Sequence, residues 1–170
     1  MKNSQNKNKY IILKFLILVL AVTLVVKYAG TSSRGSVAGA FEWEKEVNVY
    51  FIDRQIAETT SCEATVVVKR KVPNAETLGP GAIDMLIKGL SKKESGSYST
   101  AVNSNTLLQK FEIKNGVAYV DFNLSLNNDV TGSCMAVAIR SQIEKTLTDL
   151  PDINSVVISV NGETEGILEP

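Results

Sequence analysis

The sequence predicts an α/β (α+β) fold: a small mixed β-sheet covered by two helices, in the order β-β-α-β-β-α-β, preceded by one N-terminal transmembrane helix. Three stretches carry that prediction. From Gly132 to Gly162 an amphipathic helical pattern leads into a β-branched run. Around Asn115-Gly116 two alternating segments face each other across a turn signal. Near the amino terminus a long apolar run follows a basic segment.

Residues 1–9 are polar and basic, with Lys2, Lys7 and Lys9 and no acid. Residues 10–28 are apolar except for Lys14, Thr23 and Lys27. At about 1.5 Å per residue this run just spans a hydrocarbon core of roughly 30 Å, and Lys14 can snorkel to the headgroups. We read it as an uncleaved signal anchor. The competing reading is a cleaved signal peptide, for which Ala38-Gly39-Ala40 resembles a cleavage site, though far beyond the apolar run. The basic residues ahead of the span favour an inside amino terminus, against which Lys27 and Arg34 act. The expected location is the cell membrane, single-pass, with the C-terminal domain outside the cytoplasm. Residues 29–45 include a Gly/Ser/Thr/Ala-rich stretch and read as a flexible linker. The globular body is expected over 46–170.

Within the body, Val47 to Ile52 is a strand by composition and partial alternation. Asp53 to Ser61 is polar and reads as a loop. Cys62 to Val72 gives a second strand, containing the basic run Lys69, Arg70 and Lys71. A solvated strand end is the plain reading of that run, and an anionic-ligand or partner site the sharper one. Gly79-Pro80-Gly81 reads as chain reversal into a helix, with Pro80 in its first turn, where its missing N–H costs nothing. Ala82, Ile83, Leu86, Ile87 and Leu90 form the apolar stripe. Ser91 to Tyr98 reads as a loop, with Lys92-Lys93 at a solvated helix end. Thr106 to Asn123 is a hairpin, because both Asn115 and Gly116 tolerate positive φ. Asn123 to Gly132 is a loop. In the last helix Met135, Ile139, Ile143, Leu147 and Leu150 recur at steps of three and four, the spacing of one apolar face. Thr131 or Ser133 can cap its start, and Pro151 stops it. Val156 to Val160 is a buried strand ending at Asn161-Gly162.

Composition limits the chemistry. The chain has 170 residues, 44% of them hydrophobic, enough for one domain with a real core. Lys+Arg and Asp+Glu are equal at 18 each, which removes any global electrostatic case for nucleic acid. Histidine is absent, so histidine bases, nucleophiles and zinc ligands are excluded. The carboxylates are scattered and form no metal-loop spacing. Asp121, between Val120 and Phe122 on a predicted strand, is the odd one. It reads as a structural acceptor for a neighbouring loop. Ser133-Cys134 faintly resembles a nucleophile elbow but lacks the second glycine and a base. We therefore expect no catalytic residues, no cofactor and no metal.

Cys62 and Cys134 are the most informative chemical pair. Outside the membrane, thiols meet an oxidising compartment and tend to pair. A bridge would close a long loop, worth roughly 4 kcal/mol in the loop-entropy model less any strain. Free buried thiols and an intermolecular bond are the alternatives, since sequence does not show the Cα separation.

The body also resembles a known family, the GerMN domain of sporulation and spore-germination proteins. The matching pieces are V-Y-F-I-D (49–53), A-T-V-V-V-K-R-K-V-P (64–73), A-I-D-M-L-I-K-G-L (82–90), I-K-N-G-V-A-Y-V-D-F (113–122), T-G-S-C (131–134) and the run from Gln142 to Gly162. The resemblance implies a compact α/β domain displayed outside the membrane by a lipid or helical anchor. It also implies a binding or assembly module with no catalytic residues to carry over. No cysteine follows the apolar run before Cys62, so here a transmembrane anchor takes the place of a lipid. The expected function is a non-enzymatic, membrane-tethered module of the cell envelope that binds another envelope protein or itself. The alternative is a ligand-binding module for cell-wall glycan or a small molecule. Against wall binding, aromatics are only 6%, and Tyr50, Phe51, Phe111 and Phe122 sit where a core wants them.

Overall fold

The computed structural model describes residue 14 and residues 16–20, 44–57, 61–73 and 78–169. The chain divides into two units, Met1–Phe41 and Glu42–Pro170. In the first, Lys14 and residues 16–20 are helical and exposed. The rest of the predicted span at 10–28, and most of the linker, lie outside the described residues. Among the described residues no helix is long and apolar enough to cross a membrane.

The second unit opens with strand β1 (Glu44–Asp53), a single helical turn α1 (Arg54–Ala57), and β2 (Thr65–Pro73). Helix α2 (Leu78–Lys88) and a two-residue strand β3 (Tyr98–Ser99) follow. Then come β4 (Leu108–Lys114), β5 (Val117–Phe122), helix α3 (Ser133–Thr148) and β6 (Ser155–Val160). The elements predicted for the body are present; α1 lies inside the stretch read as a loop, β3 begins at Tyr98, the last residue of another such stretch, β1 starts at Glu44 rather than Val47, and β2 at Thr65 rather than Cys62.

The single sheet is the main correction. The strands form two three-stranded sheets, β2-β1-β3 and β4-β5-β6. The first is antiparallel throughout. In the second, β4 and β5 are an antiparallel hairpin and β5 runs parallel to β6, a pairing that needs the crossover α3 supplies. Asn115 (φ 51°) and Gly116 (φ 78°) make the hairpin turn with both residues left-handed, as their sequence predicts.

The sheets stay separate because of what α3 presents to β1. The predicted apolar stripe is there: Ile139, Ile143 and Leu147 are buried. Two polar residues beside it, Gln142 and Thr146, are buried as well. The Tyr50 N–H donates to Thr146 Oγ1 at 3.0 Å, and Gln142 Nε2 donates to the Tyr50 carbonyl at 3.0 Å. On its other side Gln142 Oε1 accepts from the Ala101 N–H at 2.8 Å. These side chains occupy backbone groups that another strand would otherwise claim. The start of α3 is a second correction: its N-cap is Gly132, with no side-chain cap from Thr131 or Ser133.

The core is shared by both sheets and by helices α2 and α3. Val47, Val49 and Phe51 line one face of β1, and Ala118, Val120 and Phe122 one face of β5. Burying a side chain of Phe or Val size contributes about 1.5–3 kcal/mol. Helix α2 fits between β2 and β4 because of its glycines. A Cβ at Gly79 would overlap the Phe111 ring, and one at Gly81 would overlap the Val72 side chain. The Gly79-Pro80-Gly81 motif therefore serves close packing inside the first turns of the helix, not a reversal ahead of it.

A contrast between glycines tests this packing. Gly79→Ala is expected to lower stability by about 1–3 kcal/mol through overpacking. Gly96 has nothing within 4 Å of an added Cβ, so Gly96→Ala should stay within about 0.5 kcal/mol. Thermal unfolding of the two variants measures the difference.

Candidate functional site

The basic run on β2 divides between the two faces of the strand. Lys69 and Lys71 point outward and pair with Glu46 and Glu44 at 2.6 and 2.7 Å. Such exposed pairs contribute little. Arg70 turns inward, with its guanidinium 5.5 Å from the Phe51 ring centroid. It donates to both oxygens of Glu94 at 2.9 and 2.8 Å, a bidentate pair. Glu94 also accepts from the Ser91 N–H at 2.8 Å. These bonds, led by Arg70, hold the Glu94 carboxyl down to about 2. The three cations are paired, and the structural reading of the run is the one this geometry supports.

Asp121 is likewise engaged. Its Oδ1 accepts from Ser159 Oγ at 2.6 Å and from the Gly162 N–H at 2.8 Å. With its amide nitrogen turned inward, as the hydrogen-bond network requires, Gln109 donates to Asp121 Oδ2 at 3.0 Å. The carboxylate thus pins the Asn161-Gly162 turn to β5 and closes the end of β6. Among the described residues no group of three His, Cys, Asp or Glu side chains is placed to hold a metal.

The structure joins Cys62 to Cys134 in a disulfide, with Cα atoms 5.2 Å apart and a sequence separation of 72. Cys62 lies between α1 and β2, and Cys134 in the first turn of α3. The bridge forms part of an apolar groove of about 300 Å³. Ile52, Thr100, Ala101, Met135 and Ala138 complete much of its lining. The sequence named both cysteines but gave no sign of the groove. It arises where β1, β3 and α3 converge, a pairing invisible to local patterns.

The free edges of the sheets form a second surface. The outer edge of β2 carries Lys69, Lys71 and Pro73, and β3 is too short to template a partner. The β4 edge carries Lys110, Glu112 and Lys114 and a register shift between Leu108 and Lys110. β6 has none of these guards: S-V-V-I-S-V is uncharged and free of proline. Its register on β5, together with the Asn161 N–H bonded to the Phe122 carbonyl, turns the odd-numbered residues toward β5. The even-numbered ones face outward. Val160 is taken by Glu163 in a tight reversal. Among the described residues the outward backbone groups of Val156 and Ile158 have no such partner.

The Arg70–Glu94 pair sets an acid limit. Its acid binds a proton more readily in the unfolded chain, where the ordinary value is 4.5, than in the fold, where it is about 2. The stabilisation is therefore complete above pH 4.5 and is lost as pH falls toward 2. Glu94→Gln should cost about 1–2 kcal/mol at pH 7 and flatten that part of the stability–pH curve. Denaturant unfolding between pH 7 and 2.5 reads both effects.

Comparison with known proteins places this geometry. Residues 48–166 match the family model Germane, described as sporulation and spore germination. The spore germination protein GerM of Bacillus subtilis (strain 168) is 32% identical over 126 residues, covering 72% of this chain and 33% of that protein. This chain thus spans a third of its relative's length. The solved tandem GerMN domains of the sporulation protein GerM from Bacillus subtilis superpose with a TM-score of 0.57 at 28% identity, over 72% of this chain and 40% of theirs. The first GerMN domain of that protein gives 0.55 at 21% identity, over 74% of this chain and 92% of its own, a likeness of fold. On the family match and the identity to GerM together, the chain belongs to the Germane family of sporulation and spore germination.

Proposed function

We propose that this chain is a non-enzymatic GerMN-type binding module of the cell envelope. In this reading the segment 10–28 tethers it to the membrane with the body outside the cytoplasm. The body then recruits another envelope protein or a second copy of itself. The observation that carries the reading is the bare β6 edge. Its four outward N–H and C=O groups at Val156 and Ile158 can extend the second sheet by an added strand, the mode known as β-augmentation. The other long edges carry charges, a proline or a register shift, so the open one is a local exception within one domain. Engaged carboxylates at Asp121 and Glu94 fit a scaffold more than a reaction centre.

A second reading, binding of a small apolar ligand, is favoured by the groove beside the disulfide. Retention of such a ligand by the purified body, undiminished when β6 is altered, would support it.

The edge reading is tested with Val157→Lys. Val157 lies on the outer face of β6 and its N–H bonds toward β5, so the ladder survives the change. The added cation should weaken self-association or partner capture about ten-fold or more, with the melting temperature nearly unchanged. The readout is in-cell crosslinking of the full chain followed by mass spectrometry, beside sedimentation of the body. Capture equal to that of the parent would remove β6 as the interface.

A further inference from the structure

Resting on the open-edge reading of β6, we propose that its occupant is β6 of a second copy, paired antiparallel about a two-fold axis through Val157. The strand is complementary to its own reversal. Ser155-Val156-Val157-Ile158-Ser159 runs serine, β-branched aliphatic, valine, β-branched aliphatic, serine, and reads the same by residue class from either end. In a two-fold pair residue i of one copy meets j of the other while j meets i, so such a strand finds matched neighbours in itself. It carries no charge, so no like-charged pair arises across the axis.

The free backbone groups select this register. With the axis at Val157, Val156 faces Ile158 of the second copy, and the two exchange both N–H···O bonds. The symmetric pair does the same, so the outward groups of both residues are taken in both copies. An axis at Val156 would set Ile158 against Asn154, whose N–H already donates to the Gly116 carbonyl at 2.7 Å. An axis at Ile158 would set Val156 against Val160, whose N–H and carbonyl are held by Glu163. A slip by a single residue would oppose outward groups to inward ones. The side chains agree with the register. Val157 meets Val157 on the outer face, continuing the row from Tyr119, which is 41% exposed. Ser159 Oγ donates to Asp121 at 2.6 Å and keeps lone pairs to accept from the Ser155 hydroxyl of the second copy. The two three-stranded sheets become one of six, β4-β5-β6-β6-β5-β4. So short a seam falls below the roughly 1,200 Å² of a stable interface, and the pair is weak in free solution. Chains confined to one membrane meet at a higher effective concentration.

The test is disulfide trapping of the full chain in intact cells, with diamide as oxidant and a non-reducing gel as readout. Opposed residues of a non-hydrogen-bonded pair have Cα atoms about 4.5 Å apart, within reach of a disulfide. Val157→Cys should therefore give a covalent dimer. Ser155→Cys alone should give about ten-fold less, because its two copies lie roughly 14 Å apart along the strands. Ser155→Cys and Ser159→Cys expressed together should restore the dimer. These near-isosteric exchanges leave Val157 in place, so they decide the matter if the Val157→Cys chain does not fold. Equal trapping at Val157 and at Ser155 alone, or no dimer from the mixed serine pair, would overturn the pairing. A Val157→Lys chain that still loses partner capture would then keep β6 as an edge for a strand of another protein, whereas unchanged capture would remove the edge reading as well.

Discussion

Two side chains on one helix determine how this domain is put together. Gln142 and Thr146 of α3 take the Tyr50 carbonyl and N–H, the groups through which β1 would otherwise pair with a further strand. Both residues are fully buried, where an unpaired amide or hydroxyl would cost about 1–3 kcal/mol. The bonds are therefore obligatory once the helix is seated. Gln142 also accepts from the Ala101 N–H and so holds the chain following β3 to the same helix. At the far end, Asp149 accepts from Asn48 and from the Tyr50 hydroxyl, extending the contact along β1. A helix does the work of a strand.

The rest of the architecture follows from that substitution. With β1 closed on α3, the hairpin and β6 form a sheet of their own, and α2 packs across both through Gly79 and Gly81. Splitting one sheet into two multiplies the edges to be managed. Charges, a proline, a register shift and a very short strand deal with most of them, and β6 is left bare. The same convergence of β1, β3 and α3 creates the apolar groove over which the disulfide lies. Both candidate surfaces thus arise from the one local solution for β1.

Much of the fold was legible because periodicity is local. The α3 stripe, the Asn115-Gly116 turn and the β-branched β6 each announced themselves within a few residues. Which strands share a sheet did not, since pairing is decided by contacts far apart in sequence. The Gln142–Thr146 pair is the instructive miss. Spaced by four and set one position off the Ile139/Ile143/Leu147 stripe, it looks like a solvated helix flank. Only the position of β1 makes it core. Glu94 was hidden in the same way, inside a segment whose composition says loop. Arg70 was legible by parity, because it shares a face with Val66, Val68 and Val72, although that pattern does not name its partner. The cysteines were read from type and compartment alone, and their separation came from the fold.

The most direct measurement of this account is residue-by-residue amide exchange on the dilute, monomeric body. The Tyr50 and Ala101 amides, covered only by side chains of α3, should be strongly protected. Those of Val156 and Ile158, in the middle of a regular strand, should exchange rapidly, while Val157 beside them stays slow. A fast Tyr50 amide would contradict the closing of β1 by the helix, and protected Val156 and Ile158 amides would contradict the open edge on which the binding role rests.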